Sequence, residues 1–551
     1  MALIKDLQAQ DLSSWLLVLA AGAPIYFIAQ VIYNIFFHPL AHIPGPFWAR
    51  ASSIPTWFQA RTGKRHLWLW QQFQIYNTDK LRVEPNVVVF RDPEAYSAIY
   101  GMESNVQRST FYKMWQRNSE DVNTMNALEP AEHARKRKIL NRCFTDKSLR
   151  AAATFIIKHI DRWNEILIDE PKTAPGEWSR PVNLSHRLEA LVLDILTDLC
   201  FGQSAQIKEP DSSCPNPSFK SIPDCISEYL QFYYPLCLSP FASLMIWLKP
   251  RGLDKLFQLI TPPAIKQYND FVHSAVTSRL SSTSSSEKVE PRQDMFHFLT
   301  ANPSPESSTG ASSGLLPLSK SELLAECHLL IIAGSDTTST TLSGLFFHLT
   351  SPSCSHVLEK LTTEIRTTFS SLDQITYPSP LLMTQCKYLS QVVTETLRLI
   401  TPVPCELPRQ VLPGGITIQG EHYPEGTIVA SSHFITTHST DIWGEDASEF
   451  NPDRWATGDK HQLQRMRGAY HPFLSGPGNC AGKSLAMSEM YMTVARTLWL
   501  FDVRRLPGSN KGGGGSKSLY GPAKSKNHFN LFDAFVALKE GPEVQFRRRQ
   551  V

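Results

Sequence analysis

Ten residues near the end of the chain, FLSGPGNCAG at 473–482, place a single cysteine, Cys480, among three glycines. The apolar run Leu485-Ala-Met opens a helix directly behind it, and no second cysteine lies nearby. A thiolate at a helix start is stabilised by the helix dipole and by unpaired backbone N–H groups. The glycines let the backbone bend closely around the sulfur. A lone thiolate held in this way can serve as the axial ligand of a haem iron, and the alternative is a buried free cysteine.

This loop resembles the haem-binding signature of the cytochrome P450 superfamily, FxxGxxxCxG, at its four fixed positions, Phe473, Gly476, Cys480 and Gly482. The resemblance implies a mainly α-helical fold with small β-sheets, built as one large domain around haem b (iron protoporphyrin IX). Cys480 would be the axial ligand, and Phe473, Gly476 and Gly482 would shape the loop against the cofactor. Two residues before the cysteine the family usually has a basic residue that contacts a haem propionate, whereas this chain has Gly478. Some fungal relatives share that glycine, so the departure affects the identity of the propionate partners and not haem binding.

A second motif, AGSDTT at 333–338, lies inside the helical run 322–349. Glycine inside a helix costs about 1 kcal/mol, and Ser and Thr hydroxyls can bond back to carbonyls and bend the helix. The pattern therefore predicts a helix that opens a gap. It resembles the superfamily's oxygen-activation motif, AGxDTT, which faces the haem opposite Cys480. That resemblance implies that Asp336 and Thr337 are catalytic and supply protons for cleaving dioxygen, while ordinary polar helix residues are the alternative.

Two further motifs concern the support of the site. Glu395 and Arg398 stand three residues apart, so they share one helix face. Downstream, FNPDRW at 450–455 matches the family segment whose arginine, here Arg454, completes a Glu–Arg–Arg network. Arginine binds a carboxylate through two parallel hydrogen bonds and stays charged when buried. We expect these three residues to be structural and not catalytic.

Haem propionates need cationic or hydrogen-bonding partners. His133 and Arg137 are four residues apart in EHARKRK at 132–138, so both can point along one helix face. Arg409 follows the helix of Glu395 and matches another propionate ligand of the family. We expect His133, Arg137 and Arg409 to bind the propionates, and the neighbouring basic residues Arg135, Lys136 and Lys138 to form a solvated face.

Length and composition exclude several classes of protein. The chain has 551 residues, 42% of them hydrophobic, and a formal charge of +3, with no nucleic-acid-binding signature. Its ten cysteines form no C-x-x-C pair, so zinc ribbons and thioredoxin-like motifs are disfavoured. Their scatter through apolar stretches predicts reduced, mostly buried thiols in a domain that faces the cytosol. The glycosylation sequon at Asn183 is then expected to be unused.

The N-terminal segment predicts a membrane anchor. Residues 12–37 are almost uninterruptedly apolar and uncharged, and about twenty such residues cross a bilayer of about 30 Å. Basic residues follow at Arg50, Arg61, Lys64 and Arg65, against Lys5 alone before the segment, which places the main domain in the cytosol. We therefore predict an anchor at 1–37, a proline-rich hinge at 38–50 and a haem domain at 51–551, with a buried core helix as the alternative to the anchor. The resemblance implies a single-pass protein of the endoplasmic reticulum membrane.

The implied function is that of a fungal microsomal monooxygenase, which inserts one oxygen atom of dioxygen into a substrate. The chain after Cys480 is too short for a flavin reductase domain, so NADPH acts indirectly, through a separate NADPH-cytochrome P450 reductase. A basic docking face is predicted for that partner. Its candidate residues are Arg135, Lys136, Lys138, Arg142, Arg465 and Lys483.

The predicted pocket elements are residues 101–125, 232–247, 330–337, 402–407 and 532–535. Most are apolar or aromatic, which favours a bulky lipophilic substrate. The resemblance to fungal members of the family implies a role in secondary metabolism. Glu406 is either a strand-surface carboxylate or the partner of a substrate amine.

Other activities were weighed against monooxygenation. Oxidative ring closure or aryl coupling uses the same residues and stays open. The Asp336–Thr337 pair disfavours an electron-transfer haem protein and a haem isomerase or dehydratase. A non-enzymatic membrane scaffold would need none of these motifs and is disfavoured by all of them. Two low-complexity segments, 281–319 and 507–527, are predicted to be flexible connections within one domain, and the second contains the glycine run Lys511–Ser516.

Overall fold

The computed structural model describes residues 22, 24–118, 120–169, 176–285, 292–300, 317–517 and 519–550. Helix α1 is described over residues 24–32 and continues as a π-helical turn, Tyr33–Phe37. Most of the predicted anchor at 1–37, namely residues 1–21 and 23, lies outside the described residues. Among the helices that are described, none is both long enough and apolar enough to cross a membrane.

The remaining described α-helices follow in chain order, and they make the protein mainly helical, as predicted. They are α2 (Phe47–Ala51), α3 (Ile54–Arg61), α4 (Arg65–Tyr76), α5 (Pro93–Tyr100), α6 (Pro130–Leu140), α7 (Asp146–Asp169), α8 (Leu184–Phe201), α9 (Ile222–Cys237), α10 (Ala242–Leu248), α11 (Leu253–Ile260), α12 (Pro263–Ser285), α13 (Met295–Thr300), α14 (Lys320–Leu349), α15 (Ser355–Thr368), α16 (Lys387–Leu399), α17 (His433–Thr437), α18 (Thr440–Trp443), α19 (Lys460–Gly468) and α20 (Lys483–Leu500).

The strands form small sheets at the edges of the helical body. Five strands lie in the order β1-β2-β8-β5-β3, in which β2 and β8 are parallel and the other neighbours are antiparallel. Three strands lie in the order β4-β12-β9, and two hairpins, β6-β7 and β10-β11, complete the set. The strands are β1 (Lys80–Glu84), β2 (Val87–Phe90), β3 (Val106–Arg108), β4 (Val182–Asn183), β5 (Arg409–Val411), β6 (Ile416–Ile418), β7 (Glu421–Tyr423), β8 (Ile428–Ser431), β9 (Phe501–Arg505), β10 (Phe532–Ala534), β11 (Val536–Leu538) and β12 (Glu543–Arg548).

Helix α14 runs through the centre of the molecule. It begins with a capping box, in which Ser319 and Glu322 each bond to the backbone of the other. Its AGSDTT segment stays α-helical, so the predicted gap is not a break in the helix. Gly334 instead permits close packing on α8, because a Cβ at this position would lie 2.8 Å from a methyl of Leu196. The predicted back-bonds are present, since Ser335 donates to the Ile331 carbonyl at 2.7 Å.

The glycine run after Lys511 is not a flexible linker, contrary to the sequence-based expectation. Gly513 forms a β-bridge with Phe529, and the Gly514 N–H donates to the His528 carbonyl at 2.8 Å. A Cβ on Gly514 would lie 2.3 Å from the carbonyl oxygen of Ala523. The glycines are therefore needed because backbone packs directly against backbone. In the other predicted flexible segment, 281–319, residues 286–291 and 301–316 lie outside the described part of the chain.

The proline-rich segment 38–50 packs onto the helical domain. Leu40 and Ile43 are buried, and a Cβ on Gly45 would lie 2.1 Å from the carbonyl oxygen of Arg82. Arg50 donates to the carbonyls of Ile35 and Ala41, which ties the segment to the turn before it. The segment is thus held by backbone contacts on both sides.

Candidate active site

An internal cavity of about 340 Å³ lies between α14 and the Cys480 loop. Leu330, Ala333 and Thr337 line it from α14, and Phe473 and Cys480 line it from the loop. Further apolar residues of the lining come from distant parts of the chain, namely Met125, Leu196, Val403, Cys405, Leu407 and Phe535. The cavity is therefore a space within the core of one domain, and its floor and ceiling come from two motifs predicted from sequence.

The Cys480 loop is held by its own backbone and by the loop after α5. The Cys480 N–H donates to the Phe473 carbonyl at 2.8 Å. Gly476 has a φ of +62°, and a Cβ there would lie 2.1 Å from the Tyr100 carbonyl oxygen, so only glycine fits. Phe473, Cys480 and Gly482 line the cavity, and Gly476 stands behind them as the support of the turn.

Cys480 differs from the other nine cysteines, which are all buried in protein packing. Its side chain is accessible from the cavity, which is still a poor solvent for charge. Burial raises the pKa of its thiol, while the backbone N–H groups of Gly482 and Lys483 and the charge of Arg137 lower it. The backbone N–H groups at the helix start thus lower the pKa of Cys480 as expected, but burial raises it by more, so the net shift in the protein alone is upward.

Thr337 and Asp336 face different surroundings, although they are adjacent on α14. Thr337 lines the cavity and donates its hydroxyl to the Ala333 carbonyl at 2.8 Å. Asp336 does not line the cavity, and its Oδ1 lies 3.9 Å from the Lys539 ammonium. Burial raises the pKa of Asp336 to about 6, with Lys539 lowering it and Glu189 raising it. The acid is therefore mostly ionised at pH 7, with a protonated fraction of about a tenth.

Four basic side chains lie close together at one edge of the cavity: Arg108, Arg137 and Arg409 line it, and His133 lies behind them, within reach of their charges. Three were predicted (His133, Arg137 and Arg409), and the structure adds Arg108 at the end of β3. Burial and the charges of the three arginines lower the pKa of His133 to about 3, so this imidazole is neutral, and its Nε2 is buried without a hydrogen-bond partner. Burial together with Arg409 lowers the pKa of Arg108 to about 10. These charges repel one another, as expected of a site that binds an anion.

Gly478 gives room to this basic cluster. A Cβ on Gly478 would lie 2.9 Å from an amino group of Arg409. Arg409 is buried, donates to the Tyr112 hydroxyl at 3.1 Å and contacts the face of Tyr100. The basic residue that is missing at 478 is thus matched by a guanidinium that arrives from β5, with Arg108 beside it. Sequence reasoning missed Arg108 because its only signal is a lone arginine in a short strand.

Arg137 also binds the Cys480 loop directly. It lines the cavity, and its guanidinium donates to the carbonyl of Asn479 and, at 2.6 Å, to the side-chain oxygen of the same residue. A second donor group, Nε, bonds to Asn141 at 2.7 Å. This arginine therefore fixes the residue next to the cysteine as well as contributing positive charge.

Glu395, Arg398 and Arg454 form one buried ion network. Arg398 binds both carboxylate oxygens of Glu395, at 2.7 and 3.0 Å, and Arg454 binds Oε1 at 3.0 Å. The Nε1 of Trp455 and the N–H of Asn451 also donate to this carboxylate. Burial acts to raise the pKa of Glu395, but the two arginines outweigh it and hold the pKa below its usual range. None of the three lines the cavity.

The roof of the cavity differs from the prediction at one element. Residues of the segments 101–125, 330–337, 402–407 and 532–535 line the cavity, but none of the segment 232–247 does. An aromatic cluster lies between that segment and the cavity. Phe535 is at its centre, with ring centroids 5.2 Å from Trp115, 5.6 Å from Phe111 and 6.4 Å from Tyr234. Helix α9 is therefore a second layer above the pocket.

Two charged residues have other roles than those expected. Lys136 is not on a solvated face, because its side chain is fully buried and its ammonium lies 2.6 Å from Glu322. Glu406 is neither at a strand surface nor free for a substrate amine, since it forms a buried two-hydrogen-bond pair with Arg65. In both cases the partner comes from a helix far away in sequence.

Known proteins are similar to this chain over nearly its whole length. The family model described as Cytochrome P450 matches residues 57–513. The cytochrome P450 monooxygenase poxM of Penicillium oxalicum is 29% identical, over 95% of this chain and 93% of its own. The monooxygenase AKT7 of Alternaria alternata is 28% identical, over 96% and 97%. A fusicoccadiene 8-ol C-16 hydroxylase of Alternaria brassicicola is 30% identical, over 87% and 90%.

The buried network predicts a large loss of stability for Glu395→Gln. This change leaves Arg398 and Arg454 buried beside an uncharged amide, and breaking such a pair costs about 3–5 kcal/mol. Urea unfolding followed by tryptophan fluorescence measures the loss. Asp446→Asn is the matched control, because Asp446 binds the same Arg454 from the half-exposed side and should cost about 0–1 kcal/mol. Equal losses for the two variants would contradict this assignment.

Proposed function

The chain belongs to the cytochrome P450 family and is a monooxygenase, and from this premise we propose that it inserts one oxygen atom of dioxygen into a bulky lipophilic substrate of fungal secondary metabolism. The observation that carries the proposal is the position of Cys480 opposite Thr337 across one cavity. The similar hydroxylase of Alternaria brassicicola acts, by its name, on fusicoccadiene 8-ol, which supports a lipophilic substrate class.

The residues present fit a haem with Cys480 as its axial ligand. Of the two cysteines that line the cavity, Cys405 is buried and Cys480 is exposed. The edge of the cavity carries a positive cluster that suits two propionates. Arg108, Arg137 and Arg409 would bind the carboxylates, and the unpartnered Nε2 of His133 would complete the cradle. When bound, haem supplies the iron at which dioxygen is reduced and split, with the thiolate as electron donor.

Two side chains of α14 would hold and transfer the protons that the reaction consumes. Asp336 can hold a proton near neutral pH because burial raises its pKa to about 6. Thr337 exposes its hydroxyl oxygen to the cavity while donating its proton to Ala333, so it can accept from a proton carrier and donate after rotating. We assign Asp336 and Thr337 the catalytic role, and Phe473, Gly476 and Gly482 the shaping of the loop beneath the cofactor.

The electrons would come from NADPH through a separate NADPH-cytochrome P450 reductase. The proposed docking face keeps Lys138, Arg465 and Lys483, which are exposed, together with the partly exposed Arg142. It loses Lys136, which is buried against Glu322. We propose further that residues 1–37 anchor the protein in the endoplasmic reticulum membrane. The exposed apolar side chains of Phe36 and Phe37 in that segment, and of Trp48 after it, support contact with lipid.

Oxidative ring closure or aryl coupling remains the second candidate, because it needs the same thiolate and the same proton carriers. The two reactions differ in the fate of oxygen. Incubation with NADPH, reductase and oxygen-18 gas labels the product of a monooxygenase and leaves the product of a coupling reaction unlabelled.

Cys480→Ser should abolish the strongly red-shifted absorption band of the reduced, carbon monoxide-bound protein. A serine oxygen cannot supply the thiolate that produces the band. Cys354→Ser is the matched control, since Cys354 is buried away from the cavity and should leave the band intact. A wild-type protein without this band would overturn the proposed function.

Arg108→Gln should weaken haem retention without removing the carbon monoxide band. A hydrogen bond to a charged group contributes about 1.5–3 kcal/mol, so haem should transfer to apomyoglobin at least tenfold faster. Lys138→Gln, on the exposed side of α6, should leave the transfer rate unchanged. An unchanged rate for Arg108→Gln would exclude this residue from the propionate site.

Asp336→Asn and Thr337→Ala should keep the band but impair proton supply. In the absence of substrate, complete reduction of dioxygen to water consumes two NADPH per dioxygen, whereas release of hydrogen peroxide consumes one. We expect the measured ratio to fall towards one in both variants, with matching peroxide release. General acid catalysis typically contributes about 10²–10⁴-fold, so a ratio like that of the wild type would exclude both residues from the proton route.

A further inference from the structure

One buried ammonium lies between two carboxylates beside the cavity. Lys539 directly follows β11, and its side chain is only 1% exposed. Its Nζ lies 2.6 Å from Oε1 of Glu189 on α8 and 3.9 Å from Oδ1 of Asp336 on α14. It also donates to the hydroxyl of Ser339, one turn after Asp336, at 2.9 Å. The ammonium therefore joins three elements at the position of the proposed proton carrier.

The charges of this group do not balance. One positive charge serves two carboxylates, and Glu189 holds it more closely than Asp336 does. The Oδ2 of Asp336 is buried and has no hydrogen-bond partner. An ionised Asp336 is thus incompletely compensated in a medium that disfavours charge. A proton on Asp336 removes this imbalance and leaves the ammonium to Glu189.

The position of the ammonium is fixed by the C-terminal hairpin. The hydroxyl of Thr340 on α14 donates to the carbonyl of Ala537 in β11 at 3.2 Å. The N–H of Ala537 donates to the carbonyl of Pro402 at 2.8 Å. Phe535, at the tip of the same hairpin, lines the cavity. These bonds hold the backbone that carries Lys539 against α14, so its side chain starts from a fixed point next to Asp336.

The groups that act on Asp336 come from all the elements packed around it. Lys539 lowers its pKa and Glu189 raises it, against a dominant effect of burial. From α12, Tyr268 faces the same carboxylate, and Asp336 contributes to the raised pKa of that phenol. A phenol with a raised pKa is neutral at physiological pH, so Lys539 and Glu189 are the charged groups that matter.

We propose that Lys539 and Glu189 are positioning residues for proton supply. Lys539 draws the ionised Asp336 carboxylate away from the cavity, and Glu189 takes the ammonium over when Asp336 carries a proton and turns towards Thr337. In each cycle Asp336 takes up one proton, delivers it to Thr337 and returns as a carboxylate to its pair with Lys539. This assignment rests on the proposed function, since it supplies protons to the same chemistry.

The test is an infrared titration of Asp336 in the ferric holoenzyme. The carbonyl stretch of its protonated carboxyl group is identified by its loss in Asp336→Asn and is followed with pH. An opposite charge within about 4–6 Å lowers a carboxyl pKa by about 1–3 units, so Lys539→Met should move the midpoint upward by at least about one pH unit. Glu189→Gln removes a like charge and frees the ammonium for Asp336, so it should move the midpoint downward. The pH at which the NADPH-to-dioxygen ratio changes should also move upward in Lys539→Met and downward in Glu189→Gln.

The matched control is Lys511→Met, which breaks the exposed 2.8 Å pair with Glu540 close to the same hairpin and should leave the midpoint unchanged. Lys539→Arg keeps the charge and should restore most of the wild-type profile. Shifts in the same direction for Lys539→Met and Glu189→Gln, or none in either, would overturn the proposal. If Lys539→Met does not fold, the sign of the Glu189→Gln shift decides alone. A wild-type protein without the carbon monoxide band would instead reject the proposed function.

Discussion

The buried carboxylate of Glu395 is the constraint on which the rest of the site depends. Both of its oxygens accept from Arg398, Oε1 also accepts from Arg454, and Oε2 also accepts from Trp455. The ring of Trp455 packs on Tyr470 at a centroid distance of 5.0 Å, just before the Cys480 loop begins. If one of these bonds is broken, a buried charge is left without a partner, which strongly destabilises the fold. The geometry of the network is therefore fixed. The cavity keeps its floor because the polypeptide entering the loop is fixed from this point.

At the opposite edge of the cavity, positively charged side chains lie close enough to repel one another. Arg108, Arg137 and Arg409 approach one another and the neutral His133, and the acidic group that acts on Arg108 is only a minor influence. Such a cluster is costly in the protein alone and becomes favourable when an anion with two carboxylates arrives. Binding energy of the cofactor thus becomes stability of the fold, since the cluster and the Cys480 loop are held by the same arginine, Arg137.

The sequence predicted what depends on local pattern, and it failed where distant residues compensate one another. The loop 473–482 and the motif 333–338 were recognisable because turn geometry and helix position are fixed by neighbouring residues. Gly478 appeared as a missing cation, whereas the structure brings the guanidinium of Arg409 into the space that the absent side chain leaves. The same applies to the buried pairs of Lys136 and Glu406, whose partners no local pattern indicates. Composition also misled at the glycine run after Lys511, where small residues serve close backbone packing.

The substrate side of the cavity is shaped by the C-terminal hairpin more than by the helix above it. Phe535 has a φ of +76°, a strained value for an aromatic residue. Its N–H donates to Asp533, whose other oxygen accepts from Tyr234 on α9 at 3.3 Å. The strain is therefore maintained by a buried hydrogen-bonded group, and the ring is held at the centre of the aromatic cluster. Because Lys539 directly follows the same hairpin, the aromatic ring that lines the cavity and the ammonium that faces Asp336 belong to one structural element. Pocket shape and proton supply can then change together through a single piece of structure.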